Sequence, residues 1–518
     1  MKKLLSIAAF ALAAMQLLNA QSTGICGNTI ESQQVTDARF QENIAKALNG
    51  LGVTDRDDIQ YVPLQYILVA NNAGSGRVLE YKLLDQLCDL NEAYAPMNIR
   101  FYMATQANYG IFNKSIANDN VYNNQDNTLL MKLRKNSKAI NVFIVGTPNS
   151  GNTDSTGIVL AYYNPNFDWI VQGKSFTGGG HTGTIPHEMG HYFSLRHTFY
   201  GYEPNPFNPG DAGWPVAPVI SPGGIPTERV NGSNCATAGD GICDTPPDYN
   251  FGLLQNTCAL YNGGAKDPLG VLVDPMEYNF MGYFPKCDTN YKFTPNQQSI
   301  ILADRASSAR NYLNNTFTPL STEIIIPADV LTSPATGSTT TYYDEVLLQW
   351  QPVAGANHYL VEADVSSSFS SGFYKYAITT ETSHLMTELV KNKVYNWRVR
   401  PFNEYVTCPG GIDTSFTFTT STLSATKNIS ELNAWQIAPN PAQTNGTVTL
   451  SASAKQSFTA DLSIIDATGR RLFTQNGVEF QTGESTVNLP LNGIANGLYY
   501  VLIESERGRD VRKLTVQN

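Results

Sequence analysis

The segment HEMGHYFSLRH, His187 to His197, constrains this chain more than any other stretch, because it gathers three of the six histidines. Residues four apart on a helix share a face, so His187 and His191 present two imidazoles to one point. Glu188 projects beside them, where a carboxylate can take a proton from a water held at a metal without being a ligand. His197 lies six residues beyond His191, and a straight helix would carry it away. A turn around Ser194 brings it back as the third ligand. Three neutral imidazoles on a divalent ion leave a fourth position for water, the arrangement of a catalytic zinc site. A lone histidine is more often a satisfied polar residue, but the triple spacing in a chain this poor in histidine is rare by chance.

The rest of the chain says where such a site would work. Its 518 residues suggest several domains, and 42% hydrophobic residues suffice for real cores. A net charge of −10 argues against nucleic acid or an anionic membrane surface as partner. Residues 1–20 read as a signal peptide: Lys2 and Lys3, then apolar Leu4 to Leu18, then a cleavage site at Leu18-Asn19-Ala20. No later stretch is apolar over about 18 residues, so no transmembrane segment is expected. Seven cysteines fit an oxidising compartment. Cys235, Cys243, Cys258 and Cys287 cluster and suggest two disulfides, with three connectivities open. Cys26, Cys88 and Cys408 lie apart, and the odd count leaves at least one thiol unpaired.

Residues 21–58 are polar and helix-prone, in the manner of a pro-segment. Strands are expected at 61–70, 98–104, 139–147 and 156–163, with a helix over 77–95 whose leucines recur at helical spacing. This alternation predicts an α/β layer ending in the histidine helix. Thr198 to about Asn234 is crowded with Pro and Gly and reads as a long functional loop. A closing helix over 294–313 completes a unit spanning 59–316. Residues 329–421 alternate apolar and polar, and resemble a fibronectin type III domain with Trp350 buried and Tyr395 in its penultimate strand. Residues 435–518 read as a second small β-sandwich. The fold class is therefore multidomain, an α/β (α+β) catalytic domain followed by two all-β sandwiches.

HEMGHYFSLRHTF resembles the metzincin signature, in which a glycine stands where this chain has Ser194. EYNFMGY at 277–283 resembles the Met-turn that lies beneath the zinc in those proteases. With Thr198 after the third histidine, the GDGICDTP loop at 239–246 and FTPNQ after the Met-turn, the resemblance is to the pappalysin family over residues 59–316. It implies a monomeric secreted metalloendopeptidase acting on proteins and peptides. His187, His191 and His197 would bind zinc, Glu188 would be general base and then acid, Met281 the apolar floor, and Tyr283 an aid to the tetrahedral intermediate. Related proteases hold a structural calcium in the Asp-Thr-Pro loop, which makes Asp240 and Thr245 candidates; Asp244 and Asp248 also supply oxygens there. The competing reading is a solvated acidic turn.

Ser194 replaces a glycine that turns sharply, often with positive φ, and a side chain there costs about 1 kcal/mol. Serine is small and bonds to nearby backbone, so a strained or left-handed serine turn is expected. Lys286 stands where relatives that favour basic residues after the cut bond carry an acid. That disfavours arginine at P1′ and makes Lys286 a candidate specificity determinant. ICGN around Cys26 resembles a cysteine switch, in which a thiolate takes the open zinc position; Cys26 pairing with Cys88 is the alternative. APNPA (438–442), IDATGRRL (465–472) and LNGIANGLYYVLI (491–503) resemble the type A sorting domain of the type IX secretion system. The implication is an exported cargo, released or held at the surface. A rival reading is a surface adhesin whose metzincin unit no longer cleaves.

Overall fold

A computed structural model describes residues 24–26, 30–49, 58–117, 128–148, 158–178, 183–212, 215–255, 259–285, 291–408, 415–422, 429–466, 469–505 and 508–517. The signal-peptide reading, Lys286, Cys258, Cys287 and the side chain of Cys26 lie outside them. The chain forms two compact units, residues 1–319 and 320–518.

The first unit is built on a seven-stranded sheet. Its strands are β1 (Gly24–Cys26), β2 (Gln60–Leu68), β3 (Ile99–Met103), β4 (Phe112–Asn113), β5 (Ile140–Val145), β6 (Ile158–Asn164) and β7 (Trp169–Gly173). The order is β1-β6-β7-β5-β2-β3, with β4 also on β2. All pairings are parallel except β6 with β7. Ile140–Val145 is buried at every position, as a strand covered on both faces must be. Pro63 sits in β2 one residue before pairing with β5 begins at Leu64, so its missing N–H leaves no ladder bond unmade on that side.

Four helices precede the end of the histidine segment: α1 (Ile30–Leu48), α2 (Glu80–Tyr94), α3 (Thr128–Arg134) and α4 (Thr184–Tyr192). Helix α4 carries the first two histidines and packs against α2, β6 and β7. Every residue from Ile185 to Tyr192 is buried, which fits a helix with no solvent face. The closing helix α5 (Pro295–Arg305) starts with a capping box between Thr294 and Gln297, and Pro295 takes the first turn. It stops at Arg305, and the rest of the expected helix continues as a tighter 3-10 turn over Ser308–Leu313.

The second unit holds two pairs of sheets, each of three and five strands. In the first pair Trp350, Tyr395 and Trp397 are core residues, and the Tyr395 hydroxyl accepts a bond from the Val390 amide at 3.1 Å. In the last pair Thr447–Ala454 alternates buried and less buried positions, the period of a strand with one wet face. Asn440 clamps the terminal strand, Gly508–Gln517, by donating to Lys513 O at 2.7 Å and accepting from Thr515 N at 2.9 Å. Among the described residues, no helix is long and apolar enough to cross a membrane.

Candidate metal centre and active site

Helix α4 ends at Tyr192, and the chain then reverses at Ser194, whose φ is +67°. The Ser194 amide donates to His191 O and the Leu195 amide to Gly190 O, both at 2.9 Å. This crossed pair is a Schellman motif with serine at the left-handed position. The expected serine turn is present, and His197 comes back beside the helix.

The three imidazoles converge. His191 Nε2 lies 3.1 Å from Nε2 of His187 and 3.1 Å from that of His197. Each Nδ1 faces an oxygen: Phe280 O at 2.6 Å from His187, Leu195 O at 2.9 Å from His191, and Glu203 Oε1 at 3.3 Å from His197. Acceptors at Nδ1 place the proton there and leave Nε2 with a lone pair. Burial, then the neighbouring His197, pushes the His187 pKa down to about 3, and burial drives His191 well below its ordinary range. Neutral nitrogens that all point at one spot suit a tetrahedral zinc. Among the described residues, no other group of three or more His, Cys, Asp or Glu side chains lies close enough to share an ion.

The segment of the expected Met-turn packs against the histidine helix. Met281 is fully buried, and a Cβ built on Gly190 would stand 2.4 Å from its sulfur. A side chain at this position of the helix would push the methionine sulfur aside. The Met281 amide donates to Asn279 Oδ1 at 2.8 Å, and Asn279 exchanges amide bonds with Gln297 of α5 at 3.0 and 3.2 Å. Thr198 joins the far side, donating its amide to Met281 O at 3.2 Å and its hydroxyl to Asp248 at 2.9 Å. The Tyr283 ring lies 5.8 Å from the His187 ring and 5.1 Å from that of His197. Glu188, the residue after the first histidine, is only 2% exposed.

The acidic loop divides its carboxylates among different tasks. Asp240 is fully buried and accepts from the Ile242 amide at 2.9 Å and the Thr245 hydroxyl at 2.9 and 3.0 Å. Asp244 instead accepts from Thr294 Oγ1 and Asn296 N, both at 2.8 Å, at the start of α5. Asp248 braces Thr198 and the amides of Asn250 and Phe251. Each of the three acids thus has hydrogen-bond partners of its own. The neighbour of Asp240 is Glu228, which sequence reasoning missed because it sits in the Pro/Gly loop with no motif around it. Burial raises both carboxyls, and Asp240 raises Glu228 further. Cys235 and Cys243 form a disulfide, and Cys88 and Cys408 are each disulfide-bonded.

An extracellular metalloprotease of Colletotrichum graminicola is 34% identical over 217 residues, covering 38% of this chain and 73% of the relative. The chain belongs to this metalloprotease family. A second extracellular metalloprotease of that fungus is 26% identical over 263 residues, covering 46% of this metalloprotease and 73% of the relative. Residues 436–517 match the family described as secretion system C-terminal sorting domain. The metalloprotease is secreted or held at the cell surface. Among solved structures it is similar to the FN1–FN3 domains of chicken CNTN1, at 13% identity, 38% of this chain, 66% of that chain and a TM-score of 0.16.

Proposed function

We propose that the chain is a zinc endopeptidase of the pappalysin group of metzincins, hydrolysing peptide bonds in proteins outside the cell. The observation that carries this reading is the meeting of three buried imidazoles on one point, on a helix whose Gly190 packs against Met281 and whose Glu188 is buried. His187, His191 and His197 would hold the metal. Zinc bound there polarises a scissile carbonyl and lowers the pKa of a water towards about 7. Glu188, shielded from bulk solvent, takes the proton of the attacking water and passes it to the leaving amine. The Tyr283 hydroxyl would donate towards the carbonyl oxygen as charge builds on it. Nδ1 partners hold the imidazole planes, so no ring must reorient during turnover. The test is zinc per chain together with gelatin or casein cleavage, with and without a chelator, after removal of residues 21–58. One zinc per chain without any cleavage would overturn the reading and favour the adhesin.

The strand carrying Cys26 pairs with β6 on the outer edge of the sheet, and α4 packs against that same strand. We assign latency to it: the Cys26 thiolate takes the open metal position, unless Cys26 is the partner of the disulfide-bonded Cys88. A Cys26→Ala precursor should then cleave peptides before processing, and a precursor as inactive as wild type would remove Cys26 from the scheme. Lys286 is assigned to the P1′ pocket, favouring acidic or apolar residues there. Cleavage of a peptide library should reveal this preference, whereas dominant arginine or lysine at P1′ would contradict it.

Asp240, Thr245 and Glu228 are assigned to a structural calcium. Two buried carboxyls side by side, with the Thr245 hydroxyl between Asp240 and Ile242 O at hand, are costly unless protonated or neutralised by a cation. Calcium should raise the melting temperature of the wild type, and Asp240→Asn should abolish the gain. An equal gain in the variant would place the ion elsewhere. The domain that ends the chain is assigned to the type IX secretion machinery, and the sandwich over 329–421 to a fibronectin-like spacer.

A further inference from the structure

Helix α1 lies in the segment read as a pro-segment, yet its side chains reach the backbone turn that returns the third histidine. Asn43, 2% exposed, donates one amide bond to Ser194 Oγ at 2.9 Å and another to Asp304 Oδ2 at 2.7 Å. Asp37 accepts from Arg196 Nε at 2.7 Å and from the Tyr200 hydroxyl. The Arg196 guanidinium lies between the rings of Phe40 and Tyr200, at 4.2 and 4.3 Å from their centres. Phe40 is 1% exposed. The turn is therefore gripped on both sides of His197, at Ser194 and at Arg196 and Tyr200, by residues one and two helical turns apart on α1.

The grip also accounts for the serine. Ser194 holds a left-handed conformation that glycine would adopt without strain. A glycine would offer Asn43 nothing to bond. The hydroxyl compensates for the backbone cost by joining the turn to α1, and through Asn43 to α5.

We infer that Asn43 and Asp37 are positioning residues for the metal: they hold the Ser194–Tyr200 turn so that His197 stays aimed at the shared point. This rests on the zinc reading above. Groups that orient ligands from outside the coordination sphere typically change metal affinity about 10–100-fold when removed. Helix α1 then supports the metal centre of the full chain, and that support leaves with residues 21–58 when they are removed.

The test uses the full chain loaded with zinc and follows transfer of the metal to a chromophoric chelator. Asn43→Ala and Asp37→Asn should each release zinc about tenfold faster than wild type. Glu42→Ala, on the exposed side of the same helix, controls for general loosening and should release it at the wild-type rate. Ser194→Gly, the mildest change to the fold, should also speed release, and adding Asn43→Ala to it should have little further effect. Melting of the metal-free chain is followed in parallel, because a merely structural role would lower it and leave release unchanged. Release within twofold of wild type for all three variants would overturn the inference, as would equal acceleration by Glu42→Ala. A wild-type chain that holds no zinc would overturn the zinc reading together with it, so the two failures are distinguishable.

Discussion

Replacing Glu188 with alanine is expected to lower kcat/KM on a protein substrate by about 10²–10⁴-fold while zinc content stays at the wild-type level. Glu188 follows His187 directly and is 2% exposed. Its loss removes the group proposed to take and return the proton, but none of the three nitrogens that would hold the metal. Glu188→Gln keeps the shape and the hydrogen bonding and should be nearly as slow, because an amide cannot accept a proton at neutral pH. Elemental analysis and steady-state cleavage on the same preparation separate the two effects. If Glu188→Ala lost its zinc, Glu188 would hold the site together instead of doing chemistry. If it cleaved as fast as wild type, another base would have to be found.

Arg310→Ala is expected to destabilise the first unit by about 3–5 kcal/mol, the range for removing one partner of a buried ion pair. The Arg310 side chain is fully buried. It pairs with Asp304 at 2.6 Å and Asp168 at 2.7 Å and also donates to Tyr192 O at the end of the histidine helix. Asp168 further accepts from the hydroxyls of Tyr163 at 2.8 Å and Tyr312 at 2.6 Å. Burial alone would raise the Asp168 carboxyl, but Arg310 and these hydroxyls outweigh it and hold it below its usual range. A carboxylate with a lowered folded pKa stabilises above its unfolded value, about 3.9, and loses that contribution as pH falls through the folded one. The deficit of Arg310→Ala should thus be full at neutral pH and narrow in acid. Thermal unfolding of the full chain at pH 7 and pH 3.5 checks this; an equal deficit at both would mean that packing, not charge, is what Arg310 supplies.

Much of the site could be read before any coordinates, for local reasons. His187 and His191 are four apart on a helix, and His197 could join them only through a reversal, so Ser194 had to turn. The partners that stabilise that reversal could not be read. Asn43 is 151 positions from Ser194, and nothing in its neighbours marks it as other than a polar helix residue. Asp244 and Asp248 misled for the opposite reason: they share a loop and a chemistry with Asp240, but one caps α5 and the other braces Thr198. Strand β7 escaped because WIVQG is only five residues long and lacks the alternation of apolar and polar residues that marks a half-buried strand. Helix α5 was foreseen too long, since SARNYL tightens into a 3-10 turn that brings Arg310 and Tyr312 to Asp168.

The chain order of this network bears on the timing of synthesis. The histidine helix ends at Tyr192, whereas Asn279, Gln297, Asp304 and Arg310, which hold the Met281 segment and the end of that helix, come last in the unit. At about 5–20 residues per second, the helix waits on the order of ten seconds for them. Until then the nascent chain has its histidines but no floor to keep them together.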